Sequence, residues 1–496
     1  MISIPFFSSS SPFGPLQGLH EYVIENAVGI SWQNWYHLFV IPLVPLYGQA
    51  LLLRSENTRL YRIAVGTVGI SLIGRAVTNY RFTQPWFNGL NNGIGIGVMH
   101  VIARYIEFAF IDGPVVDRYL EAKGRHPLIN ALSVAMGARW IGMGSIDLDK
   151  DSKVHSGNVN KQRIRKASEE PENDDLIIPS KEDTDVVDGG FEFSNPKNRS
   201  KNIPDIKKSK KAKDSWLPWP KIKRTKFESL TRHLWITIRN YVIFDTFLYL
   251  IRYFGSETIG SDLPVKNALY RFTHENTFYI LPILKQYGFS PIKVHWFLVD
   301  IMISMNVATG VWLGIAMGYH LFAFLTIITN LFEVENWEID IFDSPFMGDS
   351  LLDIWGKRWH QFFRHHFILY STIFLRLFRI PTKSGNIMVM SFLLSGLMHS
   401  FGQYTMSPNP PLIPLFLLFP ISGLFGFMEI TFKKFTGKKV EGIYGRIWTW
   451  IIMLSIGRLG TKAWLESGVG GTLMTPPLVG EYITKNFLEA YLIAKG

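Results

Sequence analysis

Apolar positions along this chain are gathered into long blocks, not spread as the short amphipathic stripes of a soluble fold. Asn34 to Leu53 reads NWYHLFVIPLVPLYGQALLL and spans about one hydrocarbon thickness as a helix, with Pro42 and Pro45 predicting a bend. Leu60 to Asn79 follows, with Arg75 near one end where its stem can snorkel to the headgroups. Asn91 to Ile111 carries His100, Arg104 and Glu107, a trio that a bundle interior satisfies and a lipid-facing helix does not. Later blocks lie at Leu234 to Phe254, Asn386 to Phe401, Pro411 to Phe432 and Tyr444 to Ile456. Val294 to Phe332 is long enough for two closely connected or broken helices, whereas Phe367 to Phe378 is short and reads as re-entrant. The expectation is an all-α, polytopic membrane helical bundle of about eight to ten membrane elements.

Between the third and fourth blocks the pattern changes. Gly144 to Lys226 is polar and charged, acidic at its centre (EEPENDD from Glu169) and basic at its end (KKSKKAK from Lys207). Too little apolar surface is available there to offset the entropy of ordering, so a disordered insert is expected within one membrane domain covering 1–496. Lys and Arg just before a span favour the cytosolic side and attract anionic lipid headgroups, which places the insert in the cytosol and leaves the Asn198 sequon unused. Nothing else resembles a nucleic-acid module, so no nucleic-acid partner is expected. The opening MISIPFFSSSSPFGPLQGLHEY has no basic n-region and no continuous apolar core, so the first span is expected to act as an uncleaved insertion signal.

Composition narrows the chemistry. The chain has no cysteine, which removes disulfides, thiolate nucleophiles and cysteine-ligated metals. Its 15 tryptophans suit a membrane boundary, where indole is apolar on one side and can donate to water on the other.

Two segments interrupt the apolar pattern with residues able to do chemistry. Asn336 to His366 mixes acids, bases and aromatics. Read as an interfacial helix, Leu351 to Phe363 would set Asp353, Lys357 and His360 along one broad face, with Arg364 one turn on. The same stretch also reads as an amphipathic connector anchored by Trp and Arg. His399, in FLLSGLMHSFGQY, is an imidazole inside an apolar element; it reads either as a proton acceptor for an alcohol or as a structural histidine bonded to a neighbouring helix. Ser395 lies one turn earlier on the same face, and Gly396 leaves room beside it, consistent with a narrow channel but not specific for one. His360, His365 and His366 lack the spacing of a closed ligand set, so no metal site is expected. Interrupted spans with buried charge would also suit a secondary transporter.

SLLDIWGKRWHQFFR (Ser350 to Arg364), preceded by FDSPF (Phe342 to Phe346), together with LLSGLMHSFGQY (Leu393 to Tyr404), resembles the membrane-bound O-acyltransferases, specifically their wax-synthase-like branch and its fungal metabolite O-acetyltransferases. Ile354 and Lys357 depart from the Phe and Arg usual in the branch's tryptophan-rich signature. The resemblance implies acyl transfer from acyl-CoA to a hydroxyl inside a membrane tunnel, with His399 as general base and His360 at the second polar position. Lys357, Arg358 and Arg364 would hold the anionic CoA, a cosubstrate, with no tightly bound cofactor. Acetyl-CoA as donor, a hydrophobic metabolite alcohol such as a terpenoid as acceptor, membrane lipid as partner and an endoplasmic reticulum location follow from that family context. Long-chain wax-ester synthesis is the near alternative, and a transporter without acyl transfer the distant one.

Overall fold

The computed structural model describes residues 14–137, 139, 141, 143–145, 224–280, 288, 290, 292–406, 410–488 and 494–495. From 146 to 223 the expected insert, with its sequon, lies outside the described residues, as does the opening stretch 1–13.

Among the described residues, eight helices of 14 residues or more carry the architecture: α1 Arg59–Asn79, α2 Asn88–Phe110, α3 Lys226–Gly255, α4 Trp296–Ile328, α5 Arg364–Leu377, α6 Ser384–Tyr404, α7 Leu412–Thr436 and α8 Gly442–Glu466. Short strand pairings lie outside these helices, such as Val115–Asp117 antiparallel to Met143–Ser145. Among the described residues, five helical segments are long and apolar enough to cross a membrane: Arg59–Asn79, Pro85–Phe110, Lys226–Gly255, Trp296–Ile328 and Leu412–Thr436.

The expected eight to ten elements therefore contract, for separate local reasons. Asn34 to Leu53 is not one span but two short helices, Tyr36–Phe39 and Leu43–Leu52, broken around Pro42 as the missing proline N–H predicts. Val294 to Phe332 forms a single 33-residue helix instead of two, about 50 Å long and so longer than a hydrocarbon core. The α5 helix, at 14 residues, is too short to cross. The α6 and α8 helices have spanning length but fall outside the five most apolar segments.

Small residues set the packing that positions the site, since apolar lipid gives helices little other reason to associate than close van der Waals contact. Gly95 of α2 faces Gly402 of α6 so closely that a Cβ on Gly95 would lie 2.9 Å from the Gly402 Cα. Pro420 inside α7 cannot donate to the carbonyl four residues back, that of Phe416. A Cβ on Gly396 of α6 would lie 2.9 Å from that same Phe416 oxygen. Gly396 thus leaves no passage beside it, contrary to the sequence expectation; its space is taken by the backbone of α7.

The Arg104 and Glu107 charges are satisfied inside the bundle as expected: the two pair at 3.1 Å and both side chains are buried. Glu107 also meets His365 and, at 3.3 Å, His366 of α5. At one end of the bundle, polar side chains pin the connection after α4. Glu333 pairs with Lys123 and Arg125, both at 2.8 Å, Glu335 pairs with Lys123 at 3.0 Å, and Asn336 donates to Asp117 at 2.7 Å.

Candidate active site

The segment from Ser350 to Arg364 does not form the continuous helix that its spacing suggests. Leu351–Asp353 starts as an α-helical turn, capped by the Ser350 hydroxyl, which accepts from the Asp353 N–H at 3.0 Å. Ile354–Arg358 then widens into a π-turn, and the chain becomes extended at Trp359 (ψ 159°). A π-turn brings residues five apart into register. The Trp359 N–H accordingly donates to the Ile354 carbonyl at 2.7 Å, and Arg358 Nε donates to Asp353 Oδ2 at 2.5 Å.

That geometry redistributes the face on which Asp353, Lys357, His360 and Arg364 were expected to align. Arg358 takes the Asp353 carboxylate that a regular helix would offer to Lys357, and Lys357 turns outward, 3.8 Å from Asp343 with most of its side chain exposed. Past the break, Gln361 donates to the Trp359 carbonyl at 2.6 Å and Arg364 donates to the Gly356 carbonyl at 2.8 Å, so the unwound stretch is held from within. His360 lies in that stretch and lines a cavity of about 1280 Å³.

His399 reaches the same cavity from α6. Close packing of Gly396 on the Phe416 carbonyl lays the His399 imidazole flat on Phe419 of α7, with ring centres 4.4 Å apart and planes at 9°. Phe419 lies 6.2 Å from Trp355, Trp355 lies 5.8 Å from Trp359, and Trp359 lies 5.9 Å from His360, so an aromatic wall links the two imidazoles. The Nδ1 atoms of His360 and His399 are both buried without a hydrogen-bond partner among the described residues. Buried polar atoms are normally paired, so these two rings keep hydrogen-bonding capacity that their protein surroundings do not use. No neighbouring helix within the described residues hydrogen-bonds His399 through Nδ1, which weighs against its reading as a structural histidine.

Phe244, Leu248, Met305, Phe392 and Leu418 exemplify the largely apolar remainder of the wall. Of the three cations expected to hold an anionic cosubstrate, only Arg364 lines the cavity; its side chain is also exposed, which sets it at an opening. Lys357 and Arg358 lie off the cavity wall, and Arg358 is committed to Asp353.

Two anchors of the site carry no motif of their own. The buried Glu429 of α7 accepts the Leu351 N–H at 2.9 Å, the Leu352 N–H at 3.1 Å and the Trp448 indole N–H at 3.1 Å. It thereby fixes the first turn of the segment that leads to His360. Phe419, the platform under His399, is one of many phenylalanines in an apolar helix. A lone acid among apolar residues is the one sequence signal that could have singled out Glu429.

Residues 337–425 match the membrane bound O-acyl transferase family. Comparison with curated proteins gives no match. The O-acyl transferase match takes in the π-turn, His360, α5, α6 with His399 and the first half of α7 with Phe419, so it coincides with the wall on which both imidazoles stand. Glu429 lies just beyond it.

Proposed function

We propose that the protein is an acyl-CoA-dependent O-acyltransferase of the wax-synthase-like branch, which transfers acetyl from acetyl-CoA to a hydroxyl of a hydrophobic secondary metabolite such as a terpenoid. The observation that carries this reading is the meeting of His360 and His399, from two elements of the O-acyl transferase segment, on the wall of one large apolar cavity. Its volume of about 1280 Å³ exceeds the roughly 300–1,000 Å³ usual for one small ligand, which leaves room for an acceptor beside the acyl end of the donor.

His399 serves as the general base. As the acceptor oxygen attacks the thioester carbon, its proton passes to the imidazole; the tetrahedral intermediate collapses, the C–S bond breaks, and the proton goes to the departing thiolate to give CoA-SH. His360 donates towards the thioester oxygen as negative charge develops on it. Exclusion of water by the apolar wall suppresses hydrolysis of the thioester. No cysteine is present, and Ser395, although on the cavity wall, lies within α6 and not on a nucleophile elbow; a direct transfer without an acyl-enzyme fits these residues. Arg364 at the opening takes part of the CoA charge, with Lys357 further out.

The choice of acetyl over a long acyl chain, and an endoplasmic reticulum location, rest on the resemblance of the tryptophan-rich segment to fungal metabolite acetyltransferases. Membranes carrying the protein should release CoA-SH from acetyl-CoA only when a hydrophobic alcohol is supplied, and His399→Ala should abolish ester formation at equal protein abundance. Undiminished ester in the His399→Ala membranes would remove the proposed base. A transporter would move its ligand without any thioester cleavage.

A further inference from the structure

A third imidazole stands on the cavity wall, and the proposed transfer makes no use of it. His100 of α2 lines the cavity, and its Nδ1 is buried without a hydrogen-bond partner among the described residues. Behind it the His366 ring meets it edge-on, with ring centres 4.9 Å apart and planes at 86°. His366 in turn lies 3.3 Å from the Glu107 carboxylate, which also holds Arg104 and His365. This arrangement fixes the His100 ring from behind and leaves its hydrogen-bonding capacity unspent. An imidazole can donate from one nitrogen and accept at the other, so either a carbonyl or a hydroxyl satisfies it.

The His100 and His360 rings both pack on Phe363, at 5.4 Å and 6.0 Å between ring centres. The two polar stations thus share Phe363 as a common apolar neighbour.

We propose that His100 is a second binding station of this cavity, one that selects hydrophobic alcohols bearing a second oxygen in addition to the hydroxyl that is acylated. The proposal rests on the acyl-transfer reading only for which oxygen reacts; recognition of the second oxygen is a binding property of the cavity itself. An acceptor without the second oxygen leaves His100 desolvated and unpaired, and the bound state is weakened by the loss of one hydrogen bond.

Two probes separate these ideas: 2-decalol, with one oxygen, and 6-hydroxy-2-decalone, with a ketone across the fused rings. Binding to the purified full-length protein without acyl-CoA is read by quenching of tryptophan fluorescence, to which Trp355 and Trp359 on the cavity wall contribute. The wild type should bind the hydroxyketone about tenfold more tightly than the monoalcohol, a preference of one hydrogen bond. His100→Phe should bring that ratio close to one, and His100→Gln, which keeps a donor and an acceptor, should retain part of it. Equal affinities in the wild type, which needs no variant to fold, would overturn the proposal, as would a tenfold ratio surviving in His100→Phe. Discrimination without any ester on adding acetyl-CoA would remove the acyl-transfer reading and leave the station in place. Ester formed from both probes with equal affinities would do the reverse.

Discussion

The Glu429 carboxylate accepts the backbone N–H of Leu351 at 2.9 Å, tying α7 to the turn that precedes His360. Gly426, one turn earlier on α7, lies against Leu352, where an added Cβ would be 3.4 Å from the leucine methyl. The α7 helix therefore registers the tryptophan-rich segment at one point and, through Phe419, supports His399 at another.

Glu429→Ala leaves one buried and two part-buried donors without this acceptor and should cost about 3 kcal/mol of stability, since an orphaned buried group costs about 1–3 kcal/mol and the part-buried ones less. Glu429→Gln keeps one acceptor oxygen and should retain the fold while loosening the turn. The expected signature in the Gln variant is a kcat at least tenfold lower with a nearly unchanged KM for acyl-CoA, measured beside a thermal melt. Equal kcat in folded Glu429→Gln protein would show that the carboxylate stabilises the bundle without placing His360.

Gly396 makes a second test of positioning. Its missing Cβ allows the Phe416 carbonyl to approach, and Gly396→Val should push α6 from α7 and shift His399 off the Phe419 ring. Acyl transfer should fall by more than tenfold. Gly318→Ala on α4, where an added Cβ meets nothing within 4 Å, should leave activity unaltered and serves as the control. If both substitutions affect transfer equally, the close approach of α6 and α7 does not set the histidine.

Much of this architecture was legible in the residues because a bilayer punishes polar positions so strongly. Leu60 to Asn79 and Pro411 to Phe432 lie within a few residues of α1 and α7, and the His100, Arg104 and Glu107 trio is indeed turned into the bundle. The π-turn was not legible. Its cause is tertiary, because Glu429 fixes the first turn from another helix and the five-residue spacing of Asp353 and Arg358 has meaning only once the helix has widened. A helical wheel drawn through Lys357 and His360 therefore grouped residues that point to different surroundings. Gly396 misled for a related reason: a glycine in a membrane helix marks a gap or a contact, and only the facing backbone decides which.

The absence of cysteine and the size of the cavity together predict the kinetic order. Both substrates must be bound before the acyl group moves, so initial-rate plots at several alcohol concentrations should intersect. Parallel lines, or an acylated protein detected by mass spectrometry after incubation with acetyl-CoA alone, would require a covalent intermediate that His399 as a base does not provide.

The polar clamp after α4 predicts a pH dependence of stability. Burial alone would raise the Glu333 pKa, but Lys123 and Arg125 outweigh it and hold the carboxyl below its ordinary value; Glu335 shares Lys123 with it. A carboxylate depressed in the folded state contributes stability that is fully present above its unfolded pKa, roughly 4.3, and is lost as pH falls through the lower folded value. At neutral pH, Glu333→Gln should therefore melt a few degrees below the wild type, with the gap unchanged down to about pH 5. Below about pH 4 the two curves should converge as the wild-type carboxyl takes up its proton. A gap that stays constant into that acid range would mean that the side chain stabilises the connection through packing and neutral hydrogen bonds, and that its charge contributes nothing there.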